Sequence, residues 1–111
     1  MPQVASLLDD LLQGGIVDPP DVARVVGTSV RSVTRWQRSG STPRRENEER
    51  LLELKVVVDL LRTVLREPSA RLWIRSPNAE LGYEKPLNLI ERGEYRRVIG
   101  AILALPEGVT A

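Results

Sequence analysis

From Asp21 to Gly40 the chain reads DVARVVGTSVRSVTRWQRSG, and this segment sets the architecture. Val22, Ala23, Val25 and Val26 form an inward face at helical spacing, and Gly27-Thr28-Ser29 breaks it. A second helix is predicted from about Val30 to Ser39, closed by Gly40. Two short helices joined by so brief a turn must cross steeply, and that crossing dictates residue types. Ala23 is small where the helices approach, Gly27 permits the turn, and Val33 packs back on the first helix. Trp36 lies one turn further along the same inward face and is read as core. The outward face then holds Ser29, Arg31, Ser32, Thr34, Arg35 and Arg38, with no apolar or acidic member. In a helix-turn-helix this is the face that enters a DNA major groove. An ordinary helical hairpin with a solvated arginine face is the competing reading.

Charge favours the groove. Between Val22 and Arg45 there is no Asp or Glu, whereas Arg24, Arg31, Arg35, Arg38, Arg44 and Arg45 are all basic. The whole chain has a net charge of only +1, so the remainder is net acidic. A merely solvated helix mixes signs, and a segregated basic block is the footprint of an anionic partner. Arg31 and Arg35 are the candidates for base edges, and Arg38, Arg44 and Arg45 for phosphates. Ser29, Ser32 and Thr34 suit either role. A single module of this size binds weakly, so specific recognition calls for a dimer reading two half-sites.

Working outward, Val4, Leu7, Leu8, Leu11 and Leu12 give a first amphipathic helix, ended by Gly14-Gly15. Asp18-Pro19-Pro20-Asp21 is a helix start: an acidic cap, proline in the first turn, and negative charge at the positive end of the dipole. Beyond Gly40, Thr42-Pro43 is expected to open the longest helix. Its ladder Leu51, Leu54, Val58, Leu61 and Leu65 is widened by Leu52, Val56, Val57, Leu60 and Val64, so that 56–61 is apolar nearly all round. Such a helix must be covered from more than one side, and a second copy of the chain is expected to complete the cover.

Pro68 is expected to stop the long helix and Ser69 to cap a short one running to Ile74. Ser76-Pro77-Asn78 reads as a turn, and 81–85 as loop. Pro86 opens a brief helix with Leu87, Leu89 and Ile90, ended by Gly93. A last helix places Tyr95, Val98, Ile99, Ile102 and Leu103 on one face, with a short projecting tail from Pro106. No strand-like alternation and no internal repeat occurs. The fold class is all-α: a helix-turn-helix bundle over residues 1–65, joined by the long helix to a small helical domain over 66–111.

Composition narrows the function classes. With neither His nor Cys, no Ser-His-Asp or Cys-His nucleophile and no usual zinc set is available. The phosphate-cradling strings GxxxxGK[ST] and GxGxxG are absent. Asp9-Asp10 and Glu48-Glu49 are adjacent on helices, where side chains diverge instead of meeting at one reacting atom. Neither an enzyme nor a cofactor or metal site is expected. No apolar run is long enough for a membrane helix, no secretory signal is read at the start, and the lack of cysteine suits the cytoplasm.

The C-terminal half carries more texture than a minimal DNA reader needs: RLWIRSPN (71–78), Leu81-Gly82, KPLNLI (85–90) and RGEYRRVI (92–99). Trp73, Pro77, Asn78, Leu81, Pro86, Leu89, Ile90, Gly93, Glu94 and Val98 follow the order of a Trp, a Ser/Thr-Pro-Asn turn, Pro-x-x-Leu-Ile and Gly-Glu-x-x-x-Val. In this it resembles the antitoxins of the Xre/MbcA/ParS type. The resemblance implies a toxin partner of the RES-domain type, NAD-consuming or ADP-ribosylating, whose active site the antitoxin covers. It also implies binding of operator DNA for autoregulation. The toxin-binding surface implied by the resemblance comprises Trp73, Ser76, Pro77, Asn78, Tyr95 and the tail Gly108, Val109, Thr110 and Ala111. The rival from a different class is a stand-alone dimeric helix-turn-helix transcription regulator.

Overall fold

Asp18 and Asp21 close a reciprocal capping box at the start of the helix Pro19–Val26: Asp18 Oδ1 accepts from the Asp21 amide at 2.9 Å, and Asp21 Oδ2 from the Asp18 amide at 3.0 Å. That helix is the second of seven α-helices in a computed structural model that describes residues 3–106. The helices are α1 (Val4–Leu12), α2 (Pro19–Val26), α3 (Val30–Ser39), α4 (Arg45–Val64), α5 (Glu67–Ile74), α6 (Pro86–Glu91) and α7 (Tyr95–Leu103). Short 3-10 turns at Gln13–Gly15 and Ala79–Leu81 complete the order, and no strand forms among the described residues beyond an isolated bridge between Asn78 and Glu84. The chain is all-α, as its patterning requires.

The bounds of α2 and α3 match the sequence reading because both ends are chemically specified. Gly27 takes φ 87° at the end of α2, a left-handed conformation that a Cβ would strain. Ser29 caps α3 by accepting from the Ser32 amide at 3.1 Å. Two proline signals were misleading. Thr42-Pro43 does not open α4, which starts at Arg45; Pro43 is buried instead, its ring used for packing. Pro68 lies in the first turn of α5, which Arg66 precedes as the cap position, so it begins a helix and Ser69 lies inside that helix. The long helix has already ended at Val64, where Leu65 turns to extended backbone.

One apolar cluster holds the molecule together. Leu51, Leu54, Val57, Val58 and Leu61 of α4 are fully buried, and α4 is flanked by α1 and α2 on the N-terminal side and by α6 and α7 on the other. Each such Leu or Val contributes about 1.5–3 kcal/mol by leaving water. Because α2 packs on α6 and α4 on α7, the core runs without interruption across residue 65. The widened stripe is therefore covered largely within the chain; Leu52 and Val56 stay half exposed, at 47% and 48%. On α7, Val98 and Ile102 are buried as expected, whereas Leu103 faces solvent.

Arginines fasten the layers from outside. Arg62 Nη2 donates to the carbonyls of Asp10 (2.9 Å) and Gln13 (2.7 Å), satisfying the negative end of α1. Arg71 donates to Gly15 O at 2.9 Å, and Arg75 to Ile16 O at 2.9 Å. Three cations from the second half thus hold the segment that leads into α2.

Candidate nucleic-acid and partner interfaces

The two proposed surfaces are built by different parts of this frame. On the α2–α3 unit, Val33 and Trp36 are buried, which fixes the rotation of α3 and turns Arg31, Arg35 and Arg38 outward. Ser29, as cap, and Ser32, half-buried, are linked through their hydroxyls at 3.2 Å, and Arg35 Nη2 donates to Ser32 Oγ at 3.4 Å. Thr34 is half-buried on the flank. Val30 is the departure from the purely polar face: it is 41% exposed beside Ser29 and Arg31. An apolar contact there suits a thymine methyl.

Of the six arginines in the acid-free block, two are ion-paired. Arg24 leans on Glu91 of α6 at 3.7 Å, and Arg45 on Glu49 one turn along α4 at 3.8 Å, both pairs well solvated. Arg31, Arg35, Arg38 and Arg44 make no ion pair with the described residues. A polar groove of about 620 Å³ runs beside α3, lined by Thr28, Ser32, Arg35, Thr42, Arg44, Asn47 and one acidic residue, Glu46. Asn47 was not singled out from the sequence. Its Nδ2 donates to Val26 O at 2.8 Å and fastens the start of α4 to the end of α2, holding Arg44 against the same groove.

The second surface begins where α5 ends. Trp73 and Tyr95 are both half-buried and packed against the core, with the Arg96 guanidinium 5.3 Å from the Tyr95 ring centre. Ser76 Oγ donates to Leu72 O at 2.5 Å, closing α5, and Pro77 is exposed beyond it. Asn78 organises the turn that follows. Its Oδ1 accepts from the Glu80 amide at 2.8 Å, its carbonyl from the Leu81 and Tyr83 amides at 2.9 and 2.8 Å, and its amide donates to Glu84 O at 3.1 Å. The segment 81–85 is consequently not a plain loop: Leu81 is buried and ends a 3-10 turn. Gly108, Val109, Thr110 and Ala111 lie outside the described residues.

Sequence reasoning missed Leu72 and Tyr83, exposed large hydrophobic side chains near this turn, at 66% and 74%. It also missed the charges that brace it. Arg92 donates from both terminal nitrogens to Glu84, at 2.7 and 3.1 Å, and from Nε to Glu94 at 3.1 Å; Arg97 reaches Glu94 at 2.8 Å. The Arg92 bond holds the Glu84 carboxyl below the usual carboxylate range, and the Arg97 bond, then that from Arg92, does the same for Glu94. The Asp21 carboxyl is also lowered: burial alone would raise it, but the hydrogen bonds from Arg75 and the Asp18 amide together outweigh that. Among the described residues no helix is long and apolar enough to cross a membrane.

No protein-family model matches the chain. It is 44% identical over 89 residues, 80% of its length and 79% of the relative's, to the mycobacterial cidal antitoxin MbcA of Mycobacterium tuberculosis and of Mycobacterium bovis. It is 30% identical over 104 residues, 94% of its length and 89% of the relative's, to a probable mycobacterial cidal antitoxin of Mycobacterium tuberculosis. Among solved structures, a chain of the crystal structure of the M. tuberculosis MbcT–MbcA toxin–antitoxin complex superposes with a TM-score of 0.85 at 37% identity, covering all of both chains.

Proposed function

This protein belongs to the mycobacterial cidal antitoxin family and is an antitoxin of a toxin–antitoxin system, and from that premise we propose that it silences a RES-domain toxin by covering its active site. The observation that carries the reading is the full-length likeness to a chain of a solved toxin–antitoxin complex. The toxin, by the family resemblance, consumes NAD or uses it to ADP-ribosylate proteins. Residues 66–111 supply the covering surface, through Trp73, Ser76, Pro77, Asn78, Tyr95 and the tail from Gly108 to Ala111. Residues 1–65 carry the DNA-binding duty, and the chain itself performs no catalysis.

Operator binding is the second part of the proposal. It is supported by four outward arginines, Arg31, Arg35, Arg38 and Arg44, that make no ion pair with the described residues, two of which, Arg35 and Arg44, line one groove. A phosphate backbone supplies the missing anions, and neutralising it releases counterions. Homodimerisation is the third part, supported by Leu52 and Val56, half-exposed one turn apart on α4.

Co-expression with the toxin encoded beside this chain's gene tests the central claim. The two proteins should co-purify, and growth arrest by the toxin alone should be relieved. A toxin that stays free and active in the presence of the folded chain refutes it.

A further inference from the structure

Tyr83 is the one non-glycine residue with positive φ among the described residues, at 67°, and its side chain is 74% exposed. A bulky aromatic in the left-handed region is an outlier on steric grounds, because its Cβ crowds the neighbouring backbone. Gly82 before it is also left-handed, at φ 65° and ψ 30°, and the Glu84 amide donates to Leu81 O at 3.2 Å. The pair forms the centre of a tight turn in which both central positions favour Gly, Asn or Asp. Tyrosine is a costly choice there, and its exposed ring recovers little of that cost within the fold.

The turn is held from both sides. Asn78 accepts the Tyr83 amide and pairs with Glu84, while Arg92 clamps the Glu84 carboxylate with two bonds. The ring is therefore displayed at a fixed place, next to the Pro77-Asn78 segment of the proposed toxin surface. Strain retained at an exposed, braced side chain is characteristic of a binding residue, and pre-organisation lowers the ordering cost of association. Tyrosine presents large contact area with few rotatable bonds and a hydroxyl at its tip, the profile of an interface anchor.

We infer that Tyr83 is an anchor residue of the toxin interface, its ring seated in an apolar pocket on the toxin whose rim carries a hydrogen-bond partner for the phenol. This inference rests on the toxin-binding reading above. Two variants separate the ring from the backbone: Tyr83→Ala removes the ring and keeps most of the strain, and Tyr83→Gly removes both. Binding is measured by titration calorimetry with the purified toxin encoded beside the gene, and stability by thermal melting of the free chain. The expected result is at least about tenfold weaker toxin binding for both variants, with the Tm of Tyr83→Gly at or above that of the unmodified chain. Binding by both variants within about twofold of the unmodified chain overturns the inference while leaving the toxin reading intact. A clear fall in Tm for Tyr83→Gly also overturns it, since the ring would then be serving its own fold. Failure of the unmodified chain to bind the toxin refutes the underlying reading instead.

Discussion

Arg75 grips both carboxylate oxygens of Asp21, at 3.1 and 2.7 Å, across 54 residues of sequence. Asp21 is simultaneously the third residue of α2 and the closing member of its capping box, so one guanidinium joins the end of α5, which carries Trp73 of the proposed toxin surface, to the first helix of the proposed DNA-binding unit. The side chains are 27% and 13% exposed, shielded enough for the geometry to matter.

Replacing Arg75 by Ala should destabilise the chain by about 2 kcal/mol, the scale of a lost charged hydrogen-bond pair. Urea unfolding measures it. Arg75→Lys should recover less than half, because an ammonium cannot reproduce the two-pronged contact. Full recovery by lysine would show that charge alone, not the fork, holds α5 to α2.

The same pair sets an acid limit. Asp21 has a folded-state pKa below its ordinary value of 3.8, so its contribution is complete above that value and is lost as pH falls through the lowered one. Denaturant midpoints compared between about pH 6 and about pH 3 should fall further for the unmodified chain than for Asp21→Asn. Equal losses would mean that other carboxylates, Glu84 and Glu94 among them, carry the acid sensitivity.

Arg31→Ala with Arg35→Ala should abolish operator preference in a gel-shift assay while toxin neutralisation persists. Arg38→Ala and Arg44→Ala should instead weaken binding to all duplexes alike, each reducing the steepness of the log–log salt dependence by about 0.9. Unchanged affinity in the first variant would mark α3 as a solvated face.

Leu52→Glu together with Val56→Glu should leave the fold intact, since both side chains are half in water, and should convert a dimer to a monomer in light scattering. A monomeric unmodified chain would leave DNA half-site pairing to the toxin complex.

Much of this was legible in the residues. Val30–Ser39 and Pro19–Val26 are bounded correctly from the residues because an apolar period meets a closing glycine in each, and an acidic cap with proline opens the latter. Prolines 43 and 68 misled because one signal serves several purposes: a helix start, a helix stop, or a buried ring. The Arg62, Arg71 and Arg75 contacts join residues roughly 50 apart, and no local pattern encodes such pairing. Tyr83 escaped notice for another reason. Its conformation is imposed by Asn78, Gly82 and the Arg92–Glu84 clamp, and is not a preference of tyrosine itself.

The packing of α7 on α4 and of α6 on α2 bears on how the protein is made. Helices α1 to α4 leave the ribosome before α6 and α7, so the apolar walls of the proposed DNA-reading portion stay open until those two helices emerge to close them. A prematurely terminated product ending near residue 65 should therefore reach neither operator nor toxin as a finished module, and should be cleared by proteases.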